Sequence, residues 1–476
     1  MSRTRETLNG EWDFYPLADD RMPETVPANA RWERQKLRVP SSWRWGWHSN
    51  EGTELYDLFG YPAEWNTAQA GWIRRTFQVK PEAGKRTWLR FDAVLQRSVY
   101  FLNGQRIYAS TESYLPVEFD ISEAARAGEN ELLVWIGPYE TVATPQGAKV
   151  LAPCGSWFAS MARGPWQDVW LETIPAVSIS DAAVRTSVRH GEIEAEITLE
   201  NRTLAAFQGT LSLAVAGGPV FAPQPVELAL GVMATLRVSA PWADARLWSP
   251  EDPHLYQLEV RLEQDGRLVD TRPLRFGFRE VWLDGHRFLL NGKRINLRGD
   301  AWHYQGFAMQ TRTYAANWYR MCKDAGVNFV RLHAMPYPEL FLDAADEMGM
   351  LVIAESAIYG SGKGMQADHP TFLRNCHDHL RAMVRRDRSH PSIIIWSMQN
   401  EMRWTDGREG YRAAMPELTE TMKALDPTRP VSYDGDNRLF PPEQSDIVSM
   451  HYNIDGTVAS WDRKKPLIFG EHGAFH

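Results

Sequence analysis

Ser392-Ile-Ile-Ile-Trp-Ser-Met-Gln-Asn-Glu401 carries a short apolar, β-branched run straight into a carboxylate, and Pro466-Leu-Ile-Phe-Gly-Glu471 does the same further on. No cluster of Gly and Pro separates run from acid, which is how a buried parallel strand delivers a side chain to the catalytic rim of a barrel. Two carboxylates facing one sugar are the minimum equipment for cleaving a glycosidic bond.

Around these runs, from Asn291-Gly292 onward, apolar strands alternate with helical stretches. Strands are predicted at Ile295-Asn-Leu297, Phe329 to Leu332, Leu351 to Ala354, Ser392 to Trp396, and near Val431, Ile447 and Leu467. Between them lie helical faces carrying Trp318, Met321, Cys322 and Ala325, then Glu339 to Met348, then Phe372, Cys376, Leu380 and Met383, then Met415, Leu418, Met422 and Leu425. Strand and helix in succession predict a parallel sheet, and seven strands within residues 277–476 predict a (β/α)8 TIM barrel truncated after strand 7. An absent eighth strand would leave two parallel edges exposed, and Asn453 to Lys465 is close to the shortest parallel crossover. The expectation is the front portion of a longer polypeptide, or a barrel completed from elsewhere.

Residues 1–176 read differently. Short strands are predicted at Gly71 to Val79, Trp88 to Phe91, Glu131 to Ile136 and Gln167 to Thr173, with a type I′ hairpin at Asn103-Gly104 between Ser98 and Tyr108. This spacing predicts a jelly-roll β-sandwich. In residues 177–276, Ile193, Ala195, Ile197 and Leu199 interleave with glutamates and Thr198, and Tyr256, Leu258, Val260 and Leu262 repeat the pattern. Period-two patterning with one polar face predicts an immunoglobulin-like sandwich.

At 476 residues the chain exceeds one hydrophobic core, and about 150 residues per domain suggests three. A net charge of −8 without a basic run excludes nucleic acid and anionic membrane as expected partners. No secretory signal opens the sequence, so a cytoplasmic location is expected. Cys154, Cys322 and Cys376 lack metal or redox spacing and read as structural thiols. The 20 Trp, 19 Phe and 16 Tyr suit both β cores and stacking on sugar rings.

Order and motifs together resemble glycoside hydrolase family 2, the family of β-galactosidases, β-glucuronidases and β-mannosidases. The likeness runs through Leu8-Asn-Gly-Glu-Trp-Asp-Phe14, Val39-Pro-Ser-Ser-Trp43, Gly71-Trp-Ile-Arg-Arg-Thr-Phe77, Gly164-Pro-Trp-Gln-Asp-Val-Trp-Leu171, Leu247-Trp-Ser-Pro-Glu-Asp-Pro-His-Leu-Tyr256 and Phe288-Leu-Leu-Asn-Gly-Lys-Arg-Ile-Asn-Leu-Arg-Gly299. The resemblance implies a retaining exo-β-glycosidase, β-galactosidase-like first and a uronidase next, with a glycoside as partner and assembly as a homo-oligomer open. The competing expectation is a catalytically incompetent carbohydrate-binding remnant.

By that resemblance Glu401 is the acid/base, its pKa expected to be raised by ionised Glu471, the nucleophile. Asn400 resembles the donor to the sugar 2-hydroxyl, Tyr452 the tyrosine that orients the nucleophile, and Arg331 the arginine that keeps it ionised. His333 stands where the family carries Ser, and its contact with sugar is open. Asp300 and Glu355 are candidate hydroxyl ligands or arginine partners; Trp302, His303 and Trp404 are a candidate sugar platform. Glu355-Ser-Ala-Ile-Tyr-Gly-Ser361 lacks the Glu-x-His of the large β-galactosidases, so neither metal nor cofactor is expected. Gly155-Ser-Trp157-Phe158 takes the place of a first-domain loop that reaches the pocket in many relatives.

Overall fold

The computed structural model describes the chain except residues 1–2, 45, 49–52, 56–58, 156–161, 305, 361–363, 437–443, 453–456 and 473–476, with backbone only for 46–48 and 53–55. Trp157 and Phe158 thus lie outside the described residues.

The first domain stacks two antiparallel sheets. One orders Thr4–Thr7, Val169–Pro175, Lys85–Phe91 and Val117–Asp120; the other runs Gln105–Ser110, Arg97–Leu102, Gly128–Gly137, Ala70–Val79, Gly10–Leu17 and Leu37–Val39. Asn103 and Gly104 take φ of 52° and 84°, as the type I′ reading requires. Trp12, Phe14, Trp43, Phe91 and Tyr100 fill the space between sheets. Much of the aromatic excess is therefore core.

The second domain pairs three strands, Val177–Ser187, Glu192–Asn201 and Met233–Pro241, with four, Gln224–Leu228, Phe207–Val215, Tyr256–Gln264 and Arg267–Phe276. Ile193, Ala195, Ile197 and Leu199 are all completely buried, so the alternation marked the inner face of an immunoglobulin-like sandwich. Its outer face is pinned to the third domain by Arg388, which donates to Glu196 at 2.8 Å and Asp181 at 2.7 Å.

The third domain is of TIM-barrel type. Its elements are β1 (Gly299–His303), α1 (Arg312–Asp324), β2 (Phe329–His333), α2 (Glu339–Met348), β3 (Leu351–Glu355), α3 (Pro370–Asp387), β4 (Ile393–Asn400), α4 (Arg408–Leu425), β5 (Val431–Asp434), β6 (Val448–His451) and β7 (Leu467–Glu471). Parallel ladders join β1 to β5 in order and β6 to β7. β5 also lies against β6, and β7 against β1, but among the described residues the ladders form no closed ring. The strict strand–helix succession also stops after β5: among the described residues the β6–β7 connection carries only the 3₁₀ turn Val458–Ser460.

The first strand corrects the sequence reading. Ile295 ends a strand, Lys293–Ile295, that pairs antiparallel with Arg287–Leu290 and so belongs to a three-stranded plug with Val281–Asp284. Phe288, Leu290, Leu351, Ile353, Ile395 and Ile468 form one apolar cluster, so the plug closes the lower barrel interior. Outward-facing Val330, Leu332, Val352, Ala354 and Trp396 pack instead with the helices. Two apolar environments on one strand explain why these runs look continuously hydrophobic. No helix is long and apolar enough to cross a membrane among the described residues. Cys154 and Cys376 are buried free thiols, and Cys322 is a partly buried one.

Candidate active site

Above the apolar plug the inward positions turn polar. On β2, period-two alternation puts Arg331 and His333 on the interior face; on β3 it puts Glu355 there. Arg331 is fully enclosed and spends its fork on several partners. Nε donates to Glu355 Oε2 at 2.8 Å, Nη2 to Asn400 Oδ1 at 2.6 Å, and Nη1 to Gly470 O at 3.1 Å and Glu471 Oε1 at 3.2 Å. Burial alone would weaken its charge; Glu355, Asp434 and Glu471 more than offset that and hold it protonated.

His333 faces inward, its Nδ1 2.7 Å from Glu355 Oε1 and its Nε2 3.8 Å from Glu471 Oε1. Burial, then Arg331, pushes its pKa down to about 3, so it is neutral. Burial also lifts Glu355 to about 8 against the pull of Arg331. Glu355 thus bonds both Arg331 and His333.

Glu401 and Glu471 come together. One carboxylate oxygen of each, with a ring nitrogen of His451, lies within 4.8 Å of the others. Two left-handed residues make this possible: Glu401 and Tyr452 both have φ of 49°. Consecutive strand residues point to opposite faces, so Asn400 and Glu401 could not both reach the interior in extended backbone, nor could His451 and Tyr452. The positive φ at the second of each pair turns it back. Such conformations cost of order 1–3 kcal/mol for residues other than glycine and concentrate at functional sites. Gly435, at φ +73°, has no alternative here, because a Cβ would come within 2.5 Å of His451 Nδ1 and 2.9 Å of Glu401 Cγ.

Tyr452 donates its hydroxyl to Glu471 Oε2 at 2.7 Å. Burial acts to raise the Glu471 pKa, but His333, Arg331, His451 and the Tyr452 hydroxyl outweigh it and hold the carboxyl far below the ordinary range. Tyr452→Phe removes one hydrogen bond to a charged group, worth about 1.5–3 kcal/mol. The expected result is a loss of about 10- to 100-fold in kcat/KM with little change in Tm, read by kinetics and thermal melting on one preparation.

Glu401 departs from expectation. Burial and Glu471 act to raise its pKa, yet the net shift is downward, through the hydrogen bond from His451 Nδ1 at 2.9 Å and the charges of His451 and Arg403, whose Nη2 is 3.2 Å from Glu401 Oε1. His451 is shifted upward by the same contact against burial. The proton of the pair thus rests on the imidazole. His451, Arg403 and Asp434 were not singled out from sequence; only the parity of Ser449 and His451 against Met450 could have flagged the histidine.

Asp300 is exposed on β1 and borders, with His303, Tyr452 and Glu471, a cavity of about 370 Å³ between β1 and β7. Trp302 packs edge-on against Tyr314 and Trp318 of α1, the packing alternative to a sugar platform. His303 lies 4.6 Å from the His333 ring and is held neutral, at about 3, by burial and by His333. Trp404 stays 59% exposed just after Glu401 and lies beside the Arg403 guanidinium.

Among the described residues two groups have metal-ligand spacing, Glu401–His451–Glu471 and Asp343–Asp346–His390. In the second, the Arg275 guanidinium already pairs with Asp343, and His390 Nδ1 is 2.6 Å from Asp346.

Three domain models of glycosyl hydrolases family 2 match the chain: the sugar binding domain over residues 5–152, the central family 2 domain over 177–279, and the TIM barrel domain over 281–473. A β-galactosidase of Priestia megaterium is 28% identical over 511 aligned residues, covering 98% of this chain and 47% of the relative. The chain spans about half the length of the curated relatives it matches. A β-galacturonidase of Eisenbergiella tayi bound to galacturonate shares the fold at a TM-score of 0.78 and 23% identity, over 99% of this chain and 82% of that one. A Bifidobacterium dentium β-glucuronidase complexed with coumarin-3-O-glucuronide does so at a TM-score of 0.76 and 24% identity, over 99% and 84%.

Proposed function

The chain belongs to glycosyl hydrolase family 2, and from that membership we propose that it is a retaining exo-β-glycosidase acting by double displacement. The carrying observation is the approach of Glu401 and Glu471 oxygens to within 4.8 Å. Carboxyl groups about 5–5.5 Å apart suit a retaining site, whereas inversion needs about 6.5–9.5 Å to admit a water.

Glu471, held ionised, attacks the anomeric carbon while Glu401 delivers a proton to the departing glycosidic oxygen. The glycosyl ester on Glu471 is then hydrolysed by a water that Glu401 deprotonates. Because the substrate-free pair keeps its proton on His451, delivery requires that proton to pass to Glu401. A bound sugar excludes water and disfavours the charged pair, which moves the proton in that direction. Asn400 is the proposed partner of the sugar 2-hydroxyl. Asp300 remains a proposed contact at the cavity edge, and His333, buried between Glu355 and Glu471, a proposed contact beneath it.

A terminal β-galactoside is the first substrate reading, supported by the Priestia relative. A β-uronide is the second, supported by what the Eisenbergiella and Bifidobacterium enzymes act on or bind. A panel of 4-nitrophenyl β-galactoside, β-glucuronide, β-galacturonide and β-mannoside ranks these. Proton NMR of the first-formed sugar should show the β anomer; an α product would overturn the retaining assignment, and silence on the whole panel would favour the binding remnant.

A further inference from the structure

Arg44 and Arg163 of the first domain lie on two segments joined by hydrogen bonds, and among the described residues neither meets an acid. The Trp43 amide donates to Arg163 O at 3.0 Å, and the Arg163 amide donates to Ser42 Oγ at 2.8 Å. Ser42 Oγ in turn donates to the Arg44 carbonyl at 2.7 Å. Gly164 is locked beside them, since a Cβ there would come within 2.9 Å of Ser41 O. Arg163 is therefore held by its own backbone next to Arg44.

Their side chains are poorly served. Arg163 is only 7% exposed, and among the described residues its guanidinium finds one acceptor, the carbonyl of neighbouring Ala162, at 2.9 Å. The Nε atoms of Arg163 and Arg44 are both buried without an acceptor. Among the described residues neither arginine forms an ion pair. Burial and then the like charge of Arg44 bring Arg163 down to about 10, which leaves it cationic at neutral pH.

Other buried arginines are better served: Arg279 donates to two carbonyls, Pro391 O at 3.0 Å and Ile393 O at 2.7 Å, and the rest meet acids. Arg331, Arg388, Arg386 and Arg429 each meet a carboxylate. A buried guanidinium normally requires such a partner, and its planar fork suits two oxygens of an oxyanion. We propose that Arg44 and Arg163 form a seat for an oxyanion, a carboxylate or sulfate-like group, on the first-domain face toward the barrel. Trp166, three residues after Arg163, accepts at its carbonyl from Gln310 Nε2 at 3.0 Å in the connection that follows β1, which places the seat near the barrel. The inference does not depend on the roles of Glu401 and Glu471.

The test is thermal melting of the whole protein at constant ionic strength, titrated separately with sodium sulfate and sodium D-glucuronate, with sodium chloride and D-glucose as controls. A saturable rise in Tm with either oxyanion, lost in Arg163→Met, supports the seat. A response to sulfate alone identifies a free ion as its occupant, and one to glucuronate alone an acidic sugar. No saturable rise, or an equal rise in the variant, overturns the proposal. Should Arg163→Met fail to fold, the partly buried Arg44→Met gives the same comparison, with equilibrium dialysis of labelled sulfate as the readout.

Discussion

Glycine in place of Glu471 should cut turnover of an aryl β-glycoside by about a million-fold, and azide should restore it as the α-glycosyl azide. On the proposed roles, removing the carboxylate leaves space on the face from which Glu471 would attack, and a small anion entering there inverts the anomeric centre in one step. Glycine at Glu401 should behave differently. The loss should be about 10²- to 10⁴-fold with a poor leaving group and much smaller with a dinitrophenolate, which departs without a proton. Azide should then yield the β-glycosyl azide, because it attacks the ester on Glu471 from the face Glu401 serves. Exchange of the two anomers would reverse the roles; unchanged turnover in either variant would remove that residue from the chemistry.

Particular residues show what the sequence discloses. Leu351 to Ala354 and Ile393 to Trp396 were legible as strands because both of their faces are buried, which favours an unbroken apolar run; Phe329 to Leu332 was legible from the apolar residues on either side of Arg331. Gly299–His303 was not, because the segment is largely exposed or only partly buried and has no such run. The more apolar Ile295 was claimed instead by the antiparallel plug, a tertiary choice that local pattern does not encode.

The site divides the same way. Glu401, Glu471, Arg331 and Tyr452 were identified through motifs that also resemble a family, and the structure brings all four together. The acid/base environment was misjudged, because a like-charged neighbour was weighed and the imidazole was not. Whether Glu401 is raised or lowered depends on His451, which reaches it only after Tyr452 and Glu401 adopt positive φ. Motif spacing gives which carboxylates meet, but the proton's resting place follows from side-chain directions set by two strained residues.

Arg331→Met should be the most damaging single change to stability. Its guanidinium meets Glu355 at 2.7 Å, Glu471 at 3.2 Å and Asp434 at 3.8 Å; the last two carboxyls are held below their ordinary range, whereas burial lifts Glu355 to about 8. Removing the cation leaves buried Asp434 and partly buried Glu471 without it, and breaking a buried pair typically costs about 3–5 kcal/mol. Glu355→Gln should cost far less, because Glu355 is the one of the three acids whose pKa burial raises and a neutral isostere keeps its hydrogen-bonding shape. Comparable losses from the two would mean that Glu355 is ionised in the folded protein. The pH dependence follows from sign. Glu471 has a depressed folded pKa, so its contribution is present above the unfolded carboxyl pKa of about 4.3 and is lost as pH falls through the lower folded value. Without Arg331 that depression shrinks, while His333, His451 and Tyr452 retain part of it. The acid limb of kcat/KM, which requires ionised Glu471, should therefore move to higher pH in Arg331→Met and only part of the way in Arg331→Lys, where charge survives but the fork is lost. An acid limb that stays in place in both variants would show that Arg331 does not control the ionisation of the nucleophile.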